Sequence, residues 1–323
     1  MLMMAKMMPG FGASGPSGPA ALLPQDVFAT SLYTGNGASR TITNGLNLSG
    51  EGGLVWIKAR SAAYSHRLTD TARGATNALL SNGTGASFTE SGVTAFGTSG
   101  FNLGSEAGQN EASTTYAAWS ARRAPKFFDV VEWTGNQSGD RVLSHSLGTA
   151  PGMVILKKIS DTGDWSVSHR SATNNLVLNR TASQSGDKPV SSLTSTDFTV
   201  TSFWNTDGET YVAYLFAHDT AADGVVQCGS YTTDGAGVAS VTLGWQPQFI
   251  MSRRVDGIGS WDMNDSARGL PATASGISPN LRANASDAES TTSKGLGVNP
   301  TGFTVGFTSA SAIFAYLAIR API

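Results

Sequence analysis

Apolar and polar residues alternate along this chain in short runs, and the runs come in one order three times over. In the middle copy, Trp133-Thr134-Gly135-Asn136 opens the unit, Met153-Val154-Ile155-Leu156-Lys157-Lys158 follows, and Asp197-Phe198-Thr199-Val200 and Thr210-Tyr211-Val212-Ala213-Tyr214 close it. The first copy reads Tyr33-Thr34-Gly35-Asn36, Leu54-Val55-Trp56-Ile57-Lys58, Gly100-Phe101-Asn102-Leu103 and Thr115-Tyr116-Ala117-Ala118-Trp119. The third reads Ser230-Tyr231-Thr232-Thr233, Phe249-Ile250-Met251-Ser252-Arg253, Gly302-Phe303-Thr304-Val305 and Ile313-Phe314-Ala315-Tyr316-Leu317. The spacing of roughly 100 residues is that of a small domain and exceeds the period of solenoid repeats. Each copy is therefore expected to be a small domain with its own core.

Within a copy the pattern predicts strands. Leu54 to Lys58 is a continuous apolar run ending in charge, the signature of a strand buried on both faces or nearly so. Asn36-Gly37 is suited to a tight hairpin. Short strands with polar turns between them, such as Val142-Leu143, Trp165-Ser166-Val167 and Leu176-Val177-Leu178, imply sheets packed face to face. The predicted class is all-β: three tandem antiparallel β-sandwich domains, jelly-roll or lectin-like, over 27–126, 127–221 and 222–323, behind an extended N-terminal arm at 1–26. In the third copy the excursion from Gly269 to Gly297 is longer than its counterparts and rich in Ser, Ala and Asn. Added length in a surface loop costs little stability, so a partner-facing feature is expected there.

Composition agrees with strands, since Gly, Ser and Thr abound and long helical-period stretches of Leu, Glu, Lys and Ala are missing. A formal net charge of -2 argues against a nucleic-acid surface and offers no polybasic membrane anchor. The single cysteine, Cys228, excludes an internal disulfide framework and is expected to be a plain buried thiol. The arm has an apolar Met-rich end, broken by Lys6 and ended by Pro9-Gly10, too short to span a bilayer and poor as a secretory signal. Gly15-Pro16-Ser17-Gly18-Pro19 then reads as a tether. Met1, Leu2, Met3, Met4, Met7, Met8 and Phe11 are the candidate attachment residues, because flexible thioethers adapt to irregular apolar grooves.

Several strings of the first copy carry a resemblance: Tyr33-Thr34-Gly35-Asn36-Gly37, Leu54 to Arg60, His66-Arg67-Leu68-Thr69-Asp70-Thr71-Ala72-Arg73-Gly74, Leu80-Ser81-Asn82 and Gly100 to Gly104. They resemble an uncharacterised β-domain family of tailed-bacteriophage virion and tail-fibre-like proteins, often found beside lectin-like sandwiches. The second and third copies match more weakly, and the third keeps Asp265-Ser266-Ala267-Arg268-Gly269. The resemblance implies a setting, the virion, and no reaction.

Chemistry is sparse. The serine motif Gly-x-Ser-x-Gly is absent, and Ser144-His145, adjacent on a strand, point to opposite faces. Four histidines, His66, His145, His169 and His218, have no ligand spacing, so neither a metal nor a cofactor is expected. The acidic pairs Asp161/Asp164, Asp262/Asp265 and Glu106/Glu111 read as loop carboxylates. The remaining candidate is a binding surface. Trp165 and Trp261 follow the buried strand in copies two and three, His66 holds that place in copy one, and Arg73, Arg170 and Arg268 lie nearby. Aromatic faces pack on sugar rings and guanidinium groups bind acidic partners; the competing role for the same residues is core and loop clamp. The expectation is a non-enzymatic virion protein, a tail fibre, appendage or adhesin that meets host-surface glycan. Its arm would hold other virion proteins, in many copies or as a homo-oligomeric trimer, although three domains in one chain also imitate a trimer. The alternatives are a capsid-surface decoration or head fibre, and a glycan-cleaving tailspike-like enzyme.

Overall fold

The computed structural model describes residues 21–274, 278–291, 295–306 and 308–323. The arm candidates Met1, Leu2, Met3, Met4, Met7, Met8 and Phe11 lie outside the described residues. In the first third of the chain the strands are β1 (Phe28–Thr34), β2 (Arg40–Thr43), β3 (Gly53–Ala59), β4 (Arg67–Asp70), β5 (Asn77–Ala78), β6 (Phe88–Thr89), β7 (Val93–Gly97), β8 (Gly100–Leu103) and β9 (Thr115–Arg122). The second third holds β10 (Phe128–Thr134), β11 (Arg141–Ser144), β12 (Pro151–Lys158), β13 (Ser166–His169), β14 (Leu176–Val177), β15 (Val190–Leu193), β16 (Asp197–Val200) and β17 (Thr210–Ala217). The last holds β18 (Val226–Thr232), β19 (Ala239–Thr242), β20 (Pro247–Arg254), β21 (Asp262–Asp265), β22 (Leu281–Arg282), β23 (Gly295–Asn299), β24 (Gly302–Gly306) and β25 (Ile313–Arg320).

Three units with one topology result. The larger sheets run β1-β9-β3-β4, β10-β17-β12-β13-β14 and β18-β25-β20-β21-β22, and the smaller ones β2-β8-β7, β11-β16-β15 and β19-β24-β23. In the first unit the chain beyond β4 joins the large sheet through a bridge between Leu68 and Leu79, where Val167 pairs with Leu176 and Met263 with Leu281 in the others. The strand pairings among the described residues are antiparallel. In each unit the two sheets face each other across an apolar layer, in the first of them Ile42, Val93, Phe101 and Leu103 against Val55, Ile57, Tyr116 and Ala118.

The turn after β1 is not the hairpin that its Asn-Gly suggests. β1 pairs with β9 and β2 with β8, so Gly35-Asn36-Gly37 carries the chain from the large sheet to the small one. Gly37 has φ +68, and a Cβ on Gly35 would stand 2.1 Å from the Glu111 carbonyl oxygen, so glycine is required by backbone angle at one position and by close approach at the other. The Asn110 side chain holds this crossing by accepting from Asn36 N at 3.1 Å, and Asn205 accepts from Asn136 N at the same distance in the second unit.

The expectation of a self-contained core in each copy is also corrected. On β3, Val55 and Ile57 point into the first sandwich, but Leu54 and Trp56 belong to a second apolar body that all three units share. Period two explains the division, since successive side chains on a strand take opposite faces. On β25, Phe314, Tyr316 and Ala318 line the third sandwich while Ala315, Leu317 and Ile319 face the shared body. Phe28, Trp119, Ile155, Phe216, Phe249, Met251 and Ile319 meet around a cavity of about 30 Å³, and Phe28 lies 5.4 Å from Phe249 across the boundary between the first and third units. A gap of that size with apolar walls has no polar partners for a water. The three large sheets therefore close on one another as a ring, the form of a trimer made from one chain. The body also begins earlier than an arm ending at residue 26 implies: Leu22 packs on the shared core, and Pro24–Val27 forms a helical turn with Val27 buried.

Candidate functional site

Five of the six proposed binding residues lie inside the ring, where they join one unit to the next. Trp165 and Trp261 are 0% and 1% exposed, and the indole nitrogens donate to the preceding unit: Trp165 Nε1 to Leu80 O at 2.9 Å, Trp261 Nε1 to Val177 O at 3.1 Å. Leu80 and Val177 each follow the leucine that bridges to the neighbouring strand, and Arg282 holds that place in the third unit. His66 completes the set. Trp56 Nε1 donates to His66 Nδ1 at 2.8 Å, which puts the ring hydrogen on Nε2, the side turned to the Arg282 main chain. Burial, followed by the nearby Lys58 charge, holds this imidazole well below the usual histidine range and so neutral.

The arginines behave alike. Asp70 accepts from Arg73 Nε at 2.6 Å and from Tyr214 Oη of the second unit at 2.8 Å. Asp265 accepts from Arg268 Nε at 2.5 Å and from Trp119 Nε1 of the first unit at 2.9 Å, with the Arg268 guanidinium 5.3 Å from the Trp119 ring. Glu289 bridges the same boundary, binding Arg60 through both oxygens at 2.7 and 3.0 Å and Arg268 at 3.1 Å. Those guanidinium groups hold its carboxyl below the usual carboxylate range against the opposing effect of burial. At the remaining boundary His169 stands in place of the aspartate, and its Nε2 meets Tyr316 O at 3.1 Å; burial lowers this histidine to about 4. Arg170 is the exposed member of the proposed set, reaching Cys228 O at 3.4 Å. A surface binding role for Trp165, Trp261, His66, Arg73 and Arg268 is therefore corrected: no ring face among them is open to a sugar, and the charges are consumed within the protein.

A third ring lies at the end of each central strand. Lys58, Lys157 and Arg253 are fully buried and donate to main-chain carbonyls, Lys157 to Thr84 O of the first unit at 3.2 Å and Arg253 to Val177 O of the second at 2.6 Å. Burial lowers both lysines to about 8. The Gly269–Gly297 excursion, expected to face an outside partner, supplies Glu289 and the Ala283 carbonyl that accepts from Ser81 Oγ at 2.6 Å. Its described part thus seats on the first unit of the same chain.

Acidic candidates are occupied as well. Asp164 pairs with Arg180 at 2.6 Å, Asp161 with Lys158 at 3.6 Å, Asn280 Nδ2 donates to Asp262 at 2.8 Å, Glu106 caps the Ala107–Asn110 turn, and Glu111 accepts from Tyr64 Oη at 3.0 Å. Ser144 Oγ donates to Asp197 while His145 meets Leu147 N and Thr194 O, so the two form no dyad. Among the described residues no group of three His, Cys, Asp or Glu could hold a metal ion, and no helix is long and apolar enough to cross a membrane. Cys228 is buried, and burial pushes its thiol far above the usual range.

A family model described as "Domain of unknown function (DUF7483)" matches residues 23–313. The chain belongs to this family. The DUF7483 match covers the first two units and the third as far as the start of β25. No curated protein matches the chain.

Outside the ring the residues that sequence reasoning missed are Ser202, Phe203 and Trp204, a 3-10 turn in the second unit. Phe203 is 77% exposed. The signal was an aromatic pair where the first copy has Gly108-Gln109.

Proposed function

We propose that this DUF7483 protein is a non-enzymatic component of a phage particle, a tail fibre, appendage or adhesin that presents its sandwiches to host-surface glycan. The observation that carries the reading is the closed ring. Three sandwiches spend their aromatic, histidine and paired charged side chains on holding one another, which makes a stiff body whose outward loops are the part left for contact. Such bodies act by many weak contacts multiplied over copies, which gives avidity without a deep pocket. The sequence resemblance to phage virion domains supports the setting, and the Met-rich N-terminal segment, expected from the sequence to be part of an arm over 1–26, is the proposed attachment segment.

Two measurements test it. Mass spectrometry of purified particles, with a density map that locates the chain, should find the protein as a stoichiometric component; its absence from particles overturns the virion reading. Purified full-length protein should bind host cells in a manner competed by the host's own surface polysaccharide. New reducing ends on incubation with that polysaccharide would replace the adhesin by an enzyme.

A further inference from the structure

The second unit carries a surface cleft whose floor plan follows from comparing it with the first. In the first unit the turn Ala107–Asn110 returns the chain to β9; in the second, Ser202–Trp204 and Asn205 return it to β17. The two turns are pinned in the same way. Gln109 O accepts from Tyr33 Oη at 2.7 Å where Trp204 O accepts from Trp133 Nε1 at 3.0 Å, and Asn110 and Asn205 each accept from the crossing loop. Phe203 therefore occupies the place of Gly108. The turn closes without a side chain there, so the phenyl ring is not required for folding, yet it stands 77% exposed with an edge-on contact to Trp204 at 5.8 Å.

The ring forms one wall of a cleft of about 360 Å³ that is also lined by Asp187, Lys188, Thr201, Ser202 and Asn175. Asp187 is exposed and makes no hydrogen bond or ion pair among the described residues, unlike the acidic pairs above. The Thr201 and Ser202 side-chain hydroxyls are also unengaged there; the Ser202 main chain donates to Asp140 at 2.9 Å, which fixes the turn. Lys188 Nζ donates to His169 O at 3.2 Å, so the cation is tied to β13 beside the free carboxylate.

From this geometry we infer that the cleft between Asp187 and Phe203 binds a pyranose unit of a polysaccharide. The axial C–H face of the sugar lies on the Phe203 ring, two vicinal hydroxyls donate to the Asp187 carboxylate, and the Thr201 and Ser202 hydroxyls complete the polar rim. The chemistry fits each group: an aromatic face takes apolar C–H surface, an ionised carboxylate accepts two hydroxyl hydrogens at once, and the volume lies in the range of small-ligand sites. The inference rests on the reading of the chain as a glycan-contacting body and names where that contact is made.

The test uses full-length protein on an array of bacterial surface oligosaccharides, with affinities of the hits measured by calorimetry. Phe203→Gly copies the first unit's own residue and Asp187→Asn keeps the shape while removing the charge, so both variants should melt at the wild-type temperature. Each is expected to lose affinity about tenfold or more, whereas Phe203→Tyr retains binding. Ile258→Ser, at a 78% exposed site in the third unit, should bind as wild type. Wild type that binds while Phe203→Gly and Asp187→Asn bind within twofold of it overturns this site and leaves the glycan reading standing. An equal loss in Ile258→Ser marks non-specific apolar adhesion and also overturns it. Wild type that binds no saccharide removes both the site and the reading.

Discussion

Cutting the first unit free as the fragment 27–126 should abolish its fold. In the intact chain Phe28, Leu54, Trp56, Leu68, Leu79 and Trp119 are at most 5% exposed, and they sit in the apolar body shared with the other two units. Full burial of a large apolar side chain is worth about 1.5–3 kcal/mol, so exposing this face forfeits up to roughly 9–18 kcal/mol. That matches or exceeds the net stability of about 5–15 kcal/mol with which a domain normally stands. The fragment also loses the Glu289 partner of Arg60 and the Asp265 acceptor of Trp119 Nε1. Circular dichroism with urea titration and a proton–nitrogen NMR spectrum provide the assay, with sedimentation to fix the mass. An unfolded or aggregated fragment is expected, or an assembly of three copies that rebuilds the shared faces. A monomer with a cooperative transition and dispersed resonances would refute the argument that the core is shared.

Three further outcomes follow from the seams. Asp265→Ala leaves the Arg268 guanidinium buried beside Trp119 and should cost about 3–5 kcal/mol, whereas adding Arg268→Ala should recover part of that loss; strictly additive effects in a double-mutant cycle would show the pair to be uncoupled. His169 titrates near 4 in the folded chain and near the ordinary 6.5 when unfolded. The unfolded state thus takes up the proton first as pH falls, so stability is complete above 6.5 and about 3 kcal/mol is lost on descending to 4; His169→Asn should flatten that slope in urea titrations at pH 4.5 and 7.5, and an unchanged slope would contradict it. Cys228 should resist iodoacetamide at pH 8 until urea unfolds the chain, and stoichiometric labelling of native protein would place the thiol elsewhere than in the core.

How much of this was legible in the sequence depends on what each signal encodes. The run Leu54 to Lys58 declares a strand covered on both faces, and it is. Periodicity cannot say what the cover is, and here one face meets the small sheet and the other meets sister units. The same gap explains Trp165, Trp261 and His66: their equivalence across copies was readable, but repetition at a seam and repetition at a surface look identical in one dimension. Arg73 and Arg268 similarly sit three residues after an aspartate, which specifies a loop clamp and leaves the Tyr214 and Trp119 contacts across the ring unannounced. The Asn36-Gly37 turn misled because glycine reports a backbone angle, and positive φ serves a crossing between sheets as well as a hairpin. Phe203 was visible only as a departure from the repeat, and a departure is meaningful once the turn it sits on is known to close without it.

The ring has a clasp. Covalent linkers at 123–127 and 218–225 carry the chain across two of its boundaries, whereas among the described residues the first and last units meet through side chains and main-chain hydrogen bonds, among them Arg60 with Glu289 and Ser81 with Ala283. Closure at that boundary is thus a unimolecular event that competes with the same event between two molecules. At high concentration during folding, the last module of one chain can fasten to the first module of another and produce swapped pairs or longer strings. Dilute refolding, or a tether joining the two chain ends, favours the solitary closed form.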